Sequence, residues 1–252
     1  MLTDAQRDCL EVVLVSPRNP LNIGAVARAM ANFGFARMTV VAPYTPHWRE
    51  ARSAVGAPEL LQNASEHAAL GEAVADCTLV LGTATLTHRK PGQKVVRLPD
   101  LAPLVRREIE RGGRVALVFG PEKHGLTRQD LSYCHLLVEI PTASRQPSMN
   151  LGQAAAVCLY EIDSRVFMAE GPGEEHRPEA AADAGPAAAS SKLELLAGVV
   201  ERTMVAANYS PASMREANRR DLRLLLRRLA PTERDARRIL GLFRRILWRL
   251  ER

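Results

Sequence analysis

The sequence predicts an α/β fold: a parallel sheet flanked by helices, followed by a small all-helical extension. Three observations carry this reading. First, five short apolar runs recur: EVVLVS (11–16), RMTVVAP (37–43), CTLVLGT (77–83), RVALVFG (114–120) and HLLVEIP (135–141). They are β-branched and nearly continuous, as strands buried on both faces are. Second, helical patterns separate them, over 22–34, 64–75, 99–112, 127–133 and 151–168. Strands alternating with helices give a parallel sheet. Third, several runs end in turn formers, Gly82-Thr83, Gly120-Pro121 and Pro141-Thr142. Sheets of this kind bind ligands beyond the carboxyl ends of their strands.

The remaining elements follow in order. NIGAVARAM (22–30) opens on an asparagine and a glycine and reads as a helix of small apolar residues around one arginine, Arg28. The stretch 169–191 is rich in Ala, Pro, Gly and Glu, with five acids against one arginine, and reads as a flexible linker. Beyond it Leu193, Leu196, Val200 and Met204 mark one helix face. Ser210-Pro211, with Ser213 and Glu216 as a capping box, predicts a second helix start. Pro231-Thr232 with Asp235 predicts a third. The domains are then 1–168, a linker over 169–191, and a helical unit over 192–252. That last unit is too small to be very stable alone and is expected to pack on a partner or fold with nucleic acid.

Composition narrows the classes. With 252 residues, 46% hydrophobic and 25% charged, the chain suits one sizeable soluble core plus a small extra unit. No apolar run approaches the ~18 residues a membrane helix needs. The polar, acid-bearing start MLTDAQRDCLE is no secretory signal, so a cytoplasmic protein is expected. Cys9, Cys77, Cys134 and Cys158 form no C-x-x-C pair and read as scattered core residues. The six histidines show no metal-binding spacing, and no metal is expected. Charge is uneven. From Lys192 onward there are 15 basic and 7 acidic residues, net +8, while the preceding residues are net −2. Such a basic segment, nearly all arginine, is the footprint of a polyanion-binding surface or of a solvated helical face.

Three segments, each following a predicted strand, carry the chemistry: SPRNPLNIGAVARAMANFG (16–34), LVFGPEKHGLT (117–127) and IPTASRQPSMNLGQAAAVCLYE (140–161). G-x-G-x-x-G is absent, and Leu126-Thr127 stands where a P-loop needs Lys-Ser/Thr. Together, N-x-G-x-x-x-R, F-G-P-E-x-x-G-L and P-S-M-N-L resemble the three motifs of the SPOUT methyltransferases in their SpoU/TrmH branch, over about residues 11–168. With its basic helical tail, the chain is most similar to the tRNA ribose 2′-O-methyltransferases of that branch.

The resemblance implies a deep trefoil knot near the end of the α/β domain, an exception to the rule against knots. It also implies a homodimer with active sites at the interface and S-adenosyl-L-methionine bent into the knot. The cofactor would touch Thr83, Ala84, Thr85, Gly120, Ile140, Ser148, Met149 and Asn150. Asn22, Arg28, Glu122, Ser148 and Asn150 would serve catalysis on a tRNA ribose, at nucleotide 32 of the anticodon loop. An rRNA target, another tRNA position, or a non-catalytic RNA-binding protein with the same fold are the alternatives. Arg89, Lys90 and Arg145, with Lys94, would meet RNA.

Each residue also has a structural reading. Asn22, Ser148 and Asn150 could be helix caps. Arg28 could be a surface ion-pair partner, and Glu122 a loop acid near a helix start. Arg28 is either the base for the 2′-hydroxyl or a clamp on phosphate and developing alkoxide. A guanidinium, with its pKa above ~12, is a poor base near neutrality.

Overall fold

The computed structural model describes residues 1–84, 92–164, 186–209 and 211–252. Seven strands form one sheet: β1 (Leu10–Val15), β2 (Arg37–Val41), β3 (Ser65–His67), β4 (Leu79–Thr83), β5 (Lys94–Arg97), β6 (Val115–Phe119) and β7 (Leu136–Glu139). Their order is β3-β2-β1-β6-β4-β7-β5 and every pairing is parallel. Two late strands are thus inserted between earlier ones: β6 lies between β1 and β4, and β7 between β4 and β5. The loops after β4, β6 and β7 therefore converge at one stretch of the sheet edge.

Ten helices accompany the sheet among the described residues: α1 (Asp4–Arg7), α2 (Pro20–Asn32), α3 (Pro58–Gln62), α4 (Leu70–Ala73), α5 (Leu101–Glu110), α6 (Arg128–Leu131), α7 (Leu151–Ser164), α8 (Ser190–Ala206), α9 (Arg215–Leu229) and α10 (Glu233–Leu250). Strand alternation divides the core. Val12 and Leu14 of β1 join the cluster beneath α2, α5 and α7. Val13 and Val15 join a second cluster with Leu70 and Val74 on the opposite face. Helices α2 and α7 cross so closely that a Cβ on Gly152 would stand 2.7 Å from the Cβ of Ala25. The small residues of 22–30 serve that crossing. Cys77, Cys134 and Cys158 are buried free thiols, and burial pushes each up to about 12.

Several expectations are corrected. Helix α2 starts at Pro20, with Asn19 as its N-cap accepting the Leu21 N–H at 3.0 Å. Asn22 is inside the helix and caps nothing. The 64–75 pattern splits into β3 and α4, because Ser65–His67 pairs with the exposed edge of β2. β5 leaves no apolar signal in the sequence because it is short and carries charge at both ends. The Ser213–Glu216 capping box does not form; α9 starts at Arg215 after a 3-10 turn, with Met214 as its cap. The Thr232 cap of α10 does form, accepting the Asp235 N–H at 3.1 Å.

The helices after residue 189 pack on the α/β domain. Ser190 N–H and its hydroxyl both donate to Cys77 O at 2.9 Å, and Ser191 N–H donates to Ala75 O at 2.9 Å. Two tail arginines are internal. Arg223 and Arg227 pair with Glu194 at 2.8 and 3.2 Å, and Arg227 Nε donates to Tyr133 O at 2.8 Å. Both guanidinium groups lie over the Tyr133 ring.

Candidate active site

Glu122, three residues past β6, organises the sheet edge. Its carboxylate accepts the Arg18 and Asn19 N–H groups at 3.1 Å each and the Asn22 side-chain amide at 3.0 Å. The Asn22 carbonyl oxygen accepts from the Asn150 amide at 2.9 Å. The Asn150 oxygen in turn accepts the Gly152 N–H at 2.9 Å and the Gln153 N–H at 3.4 Å, closing the first turn of α7. One chain of hydrogen bonds therefore ties the segments after β1, β6 and β7. Each amide uses both its donor and its acceptor end, which an asparagine can do and a carboxylate cannot. Burial alone would raise the Glu122 carboxyl, but the hydrogen bonds from Asn22 and the surrounding backbone N–H groups, Arg18 and Asn19 among them, outweigh it. They hold the group below the usual carboxylate value of 4.5.

Beside this chain lies a cleft of about 670 Å³, within the ~300–1,000 Å³ of small-molecule sites. Phe119, Leu126, Val138, Ile140 and Met149 give it an apolar wall, and Thr83, Thr142 and Ser148 give it hydroxyls. Gly120 is required here. A Cβ on it would strike the backbone of Gly125 and Leu126, where the loop folds back through Gly125 at φ +63°.

Of the residues expected at a cofactor, Thr83, Ala84, Gly120, Ile140, Ser148 and Met149 line the cleft, with Glu122 at its rim. Asn150 stands next to it and holds Asn22. Thr85, Arg89 and Lys90 lie outside the described residues. Arg145 is exposed in the loop after β7, beside the lining residue Ser144, and Lys94 is exposed on β5. Arg28 does not line the cleft. It is exposed on α2, with no ion-pair or hydrogen-bond partner among the described residues. Sequence reasoning missed Asn19, although Asn-Pro ahead of an apolar run is a readable helix start. It also missed Arg97 and Glu139, register partners at the ends of β5 and β7 that both face the cleft.

The sheet edge, its apolar cleft and its amide–carboxylate chain define an α/β protein that takes up a small ligand where late strands insert. The family described as SpoU rRNA Methylase matches residues 9–160, and the chain belongs to that family. It is 34% identical over 201 residues to the tRNA (cytidine/uridine/adenosine-2′-O-)-methyltransferase TrmJ of Pseudomonas aeruginosa, covering 79% of this chain and 78% of that one. It is 31% identical over 243 residues to the tRNA (cytidine/uridine-2′-O-)-methyltransferase TrmJ of Escherichia coli K12, covering 96% and 95%. The crystal structure of TrmJ from Z. mobilis ZM4 superposes with a TM-score of 0.76 at 29% identity, covering 96% of this chain and 99% of that one.

Proposed function

We propose that the protein transfers a methyl group from S-adenosyl-L-methionine to a ribose 2′-hydroxyl of tRNA, at nucleotide 32 of the anticodon loop. The observation that carries this reading is the chain Glu122–Asn22–Asn150, which joins all three motif segments beside the cleft. The TrmJ relatives supply the substrate class.

The cleft fits the cofactor by the chemistry of its lining. Its apolar wall suits an adenine ring, its hydroxyls suit ribose, and Arg97 with Glu139 suit the two charges of an amino-acid end. When bound, S-adenosyl-L-methionine supplies an electrophilic methyl group on a sulfonium. Phe119, Leu126, Ile140 and Met149, which line the cleft, would exclude water around it. Glu122, Asn22 and Asn150 fix the loops beside the cleft, so that a ribose and a cofactor bound there would keep one alignment, where much of the rate of a displacement arises. Arg28 would hold a phosphate next to the target ribose and stabilise the negative charge that builds on the 2′-oxygen as its proton passes to solvent. Its guanidinium is exposed and has no partner among the described residues.

The same proposal includes a trefoil knot, formed where β6 and β7 insert between earlier strands, and the division into a methyltransferase domain (1–168), a connecting segment (169–191) and a basic helical extension (192–252). It includes a homodimer with its active sites at the interface. Arg28 stands outside the cleft of its own chain and shares a face of α2 with Leu21, which is 57% exposed. A second copy would cover that face.

Labelled S-adenosyl-L-methionine and unmodified tRNA test the reading. A single 2′-O-methyl group at nucleotide 32, mapped by resistance of the adjoining linkage to alkali, is expected. Methylation of rRNA alone, or of no RNA, would overturn it.

A further inference from the structure

One exposed feature of the sheet edge is used neither by the cleft nor by the Glu122 chain. Ser16 and Ala42, the first residues past β1 and β2, both hold left-handed backbone, with φ of 45° each. That conformation is uncommon for residues with a side chain. Here backbone bonds to the neighbouring strands impose it: Ser16 N–H donates to Val41 O at 2.7 Å and Ala42 N–H to His67 O at 2.9 Å. The two turns direct the chain after β1 and the chain after β2 toward each other. Tyr44 N–H donates to Pro17 O at 3.2 Å, and the Thr45 hydroxyl donates to Arg18 O at 3.4 Å. The outcome is that the Arg18 guanidinium lies over the Tyr44 ring, 5.4 Å from its centroid.

A ring that merely fastened two loops would be buried between them, yet Tyr44 is 74% exposed. Arg18 covers part of one face and the rest of the ring meets solvent. Arg18 is exposed too, and its guanidinium has no carboxylate partner among the described residues. Its backbone N–H donates to Glu122 at the cleft rim, so the pair stands one residue away from the site. Strained turns that hold an aromatic ring and an unneutralised guanidinium in water, beside a site for RNA, match what unstacked RNA needs. The ring offers a stacking face to a base, and the guanidinium offers its fork to a phosphate.

We propose that Arg18 and Tyr44 form a nucleotide-binding step at the rim of the active site, where a base flanking the methylated nucleotide stacks on Tyr44 while Arg18 takes a phosphate of the same strand. The proposal rests on the RNA methylation reading above. It makes Tyr44 a positioning residue that acts on the neighbour of the reacting ribose.

The test uses the full chain, wild type beside Tyr44→Ala and Tyr44→Phe, binding tRNA and the same tRNA carrying an abasic residue on either side of the methylated nucleotide. Tyr44→Ala is expected to weaken tRNA binding about tenfold, with unchanged melting temperature and unchanged affinity for S-adenosylhomocysteine. Tyr44→Phe should bind like wild type. One abasic substitution should weaken wild type by a similar factor and Tyr44→Ala no further. Equal losses from that substitution in both proteins, or wild-type affinity in Tyr44→Ala, would overturn the stacking role. So would a change in oligomeric state in Tyr44→Ala, which would make the ring a protein contact. If the wild type methylates no RNA, the functional reading fails and takes this proposal with it. Methylation with additive losses defeats the stacking proposal alone.

Discussion

Arg28 and Arg227 are both arginines on helices, and the molecule treats them in opposite ways. Arg28 is exposed on α2 with no partner among the described residues. Arg227 is 3% exposed on α9, paired to Glu194, bonded to Tyr133 O and stacked on the Tyr133 ring. Its Nη1 is buried without a hydrogen-bond partner. A guanidinium left in water loses nothing by waiting for a ligand. One taken out of water costs stability unless partners hold it, as Tyr133 O and Glu194 hold Arg227 through Nε and Nη2. The same residue type thus stands on an open surface in one region and in an internal joint in the other. The arginine-rich tail is therefore not a uniform polyanion surface, since Arg223 and Arg227 are withdrawn from it.

The largest effect that could break this contrast is on stability. Arg227→Ala leaves Tyr133 O without its donor and Glu194 with Arg223 alone, and should cost ~3–5 kcal/mol, the loss typical of opening a buried pair. Thermal or urea unfolding would show it. A loss below ~1 kcal/mol would mean that the joint is solvated.

Next is a pH dependence at the same joint. His135 Nδ1 accepts the Val80 N–H at 3.0 Å, and burial, helped by Arg227, pushes the imidazole down to about 3. The unfolded chain protonates near 6.5 and the folded chain resists. Stability is therefore full above pH 6.5 and falls as the pH drops toward about 3, by up to about 1.4 kcal/mol per pH unit. Melting curves between pH 7 and pH 5 should show this decline, and His135→Asn should flatten it.

At the sheet edge the effects are smaller, because the groups are partly in water. Glu122→Gln keeps an acceptor but loses its charge, and should weaken cofactor binding roughly fivefold, worth about 1 kcal/mol. Titration calorimetry with S-adenosylhomocysteine would measure it. The smallest effects belong to the exposed tail arginines. Each of Arg238, Arg244 and Arg249 changed to Gln should lower the salt slope of tRNA binding by about 1 if it meets a phosphate. An unchanged slope would make α10 a solvated face.

How much of this was legible follows from where the information lies. The five internal or strongly apolar strands and the Thr232 cap could be read because burial and capping leave local patterns. β3 and β5 could not, because a three- or four-residue edge strand is defined by its neighbour. The motif residues Asn22, Glu122 and Asn150 were legible as a set, while their connection was not, since it spans 100 residues or more of sequence. The burial of Arg223 and Arg227 was also hidden. Nothing in a run of arginines says which two will meet Glu194.

The most direct test compares single-turnover methyl transfer to tRNA by wild type, Arg28→Ala and Arg227→Ala, with cofactor affinity and melting temperature measured on each. Arg28→Ala should slow transfer by ~10²–10³-fold with wild-type cofactor affinity and melting temperature. Arg227→Ala should melt lower while its folded fraction transfers at near wild-type rate. Wild-type transfer by Arg28→Ala would contradict the account, because the exposed guanidinium would then serve no step of the reaction.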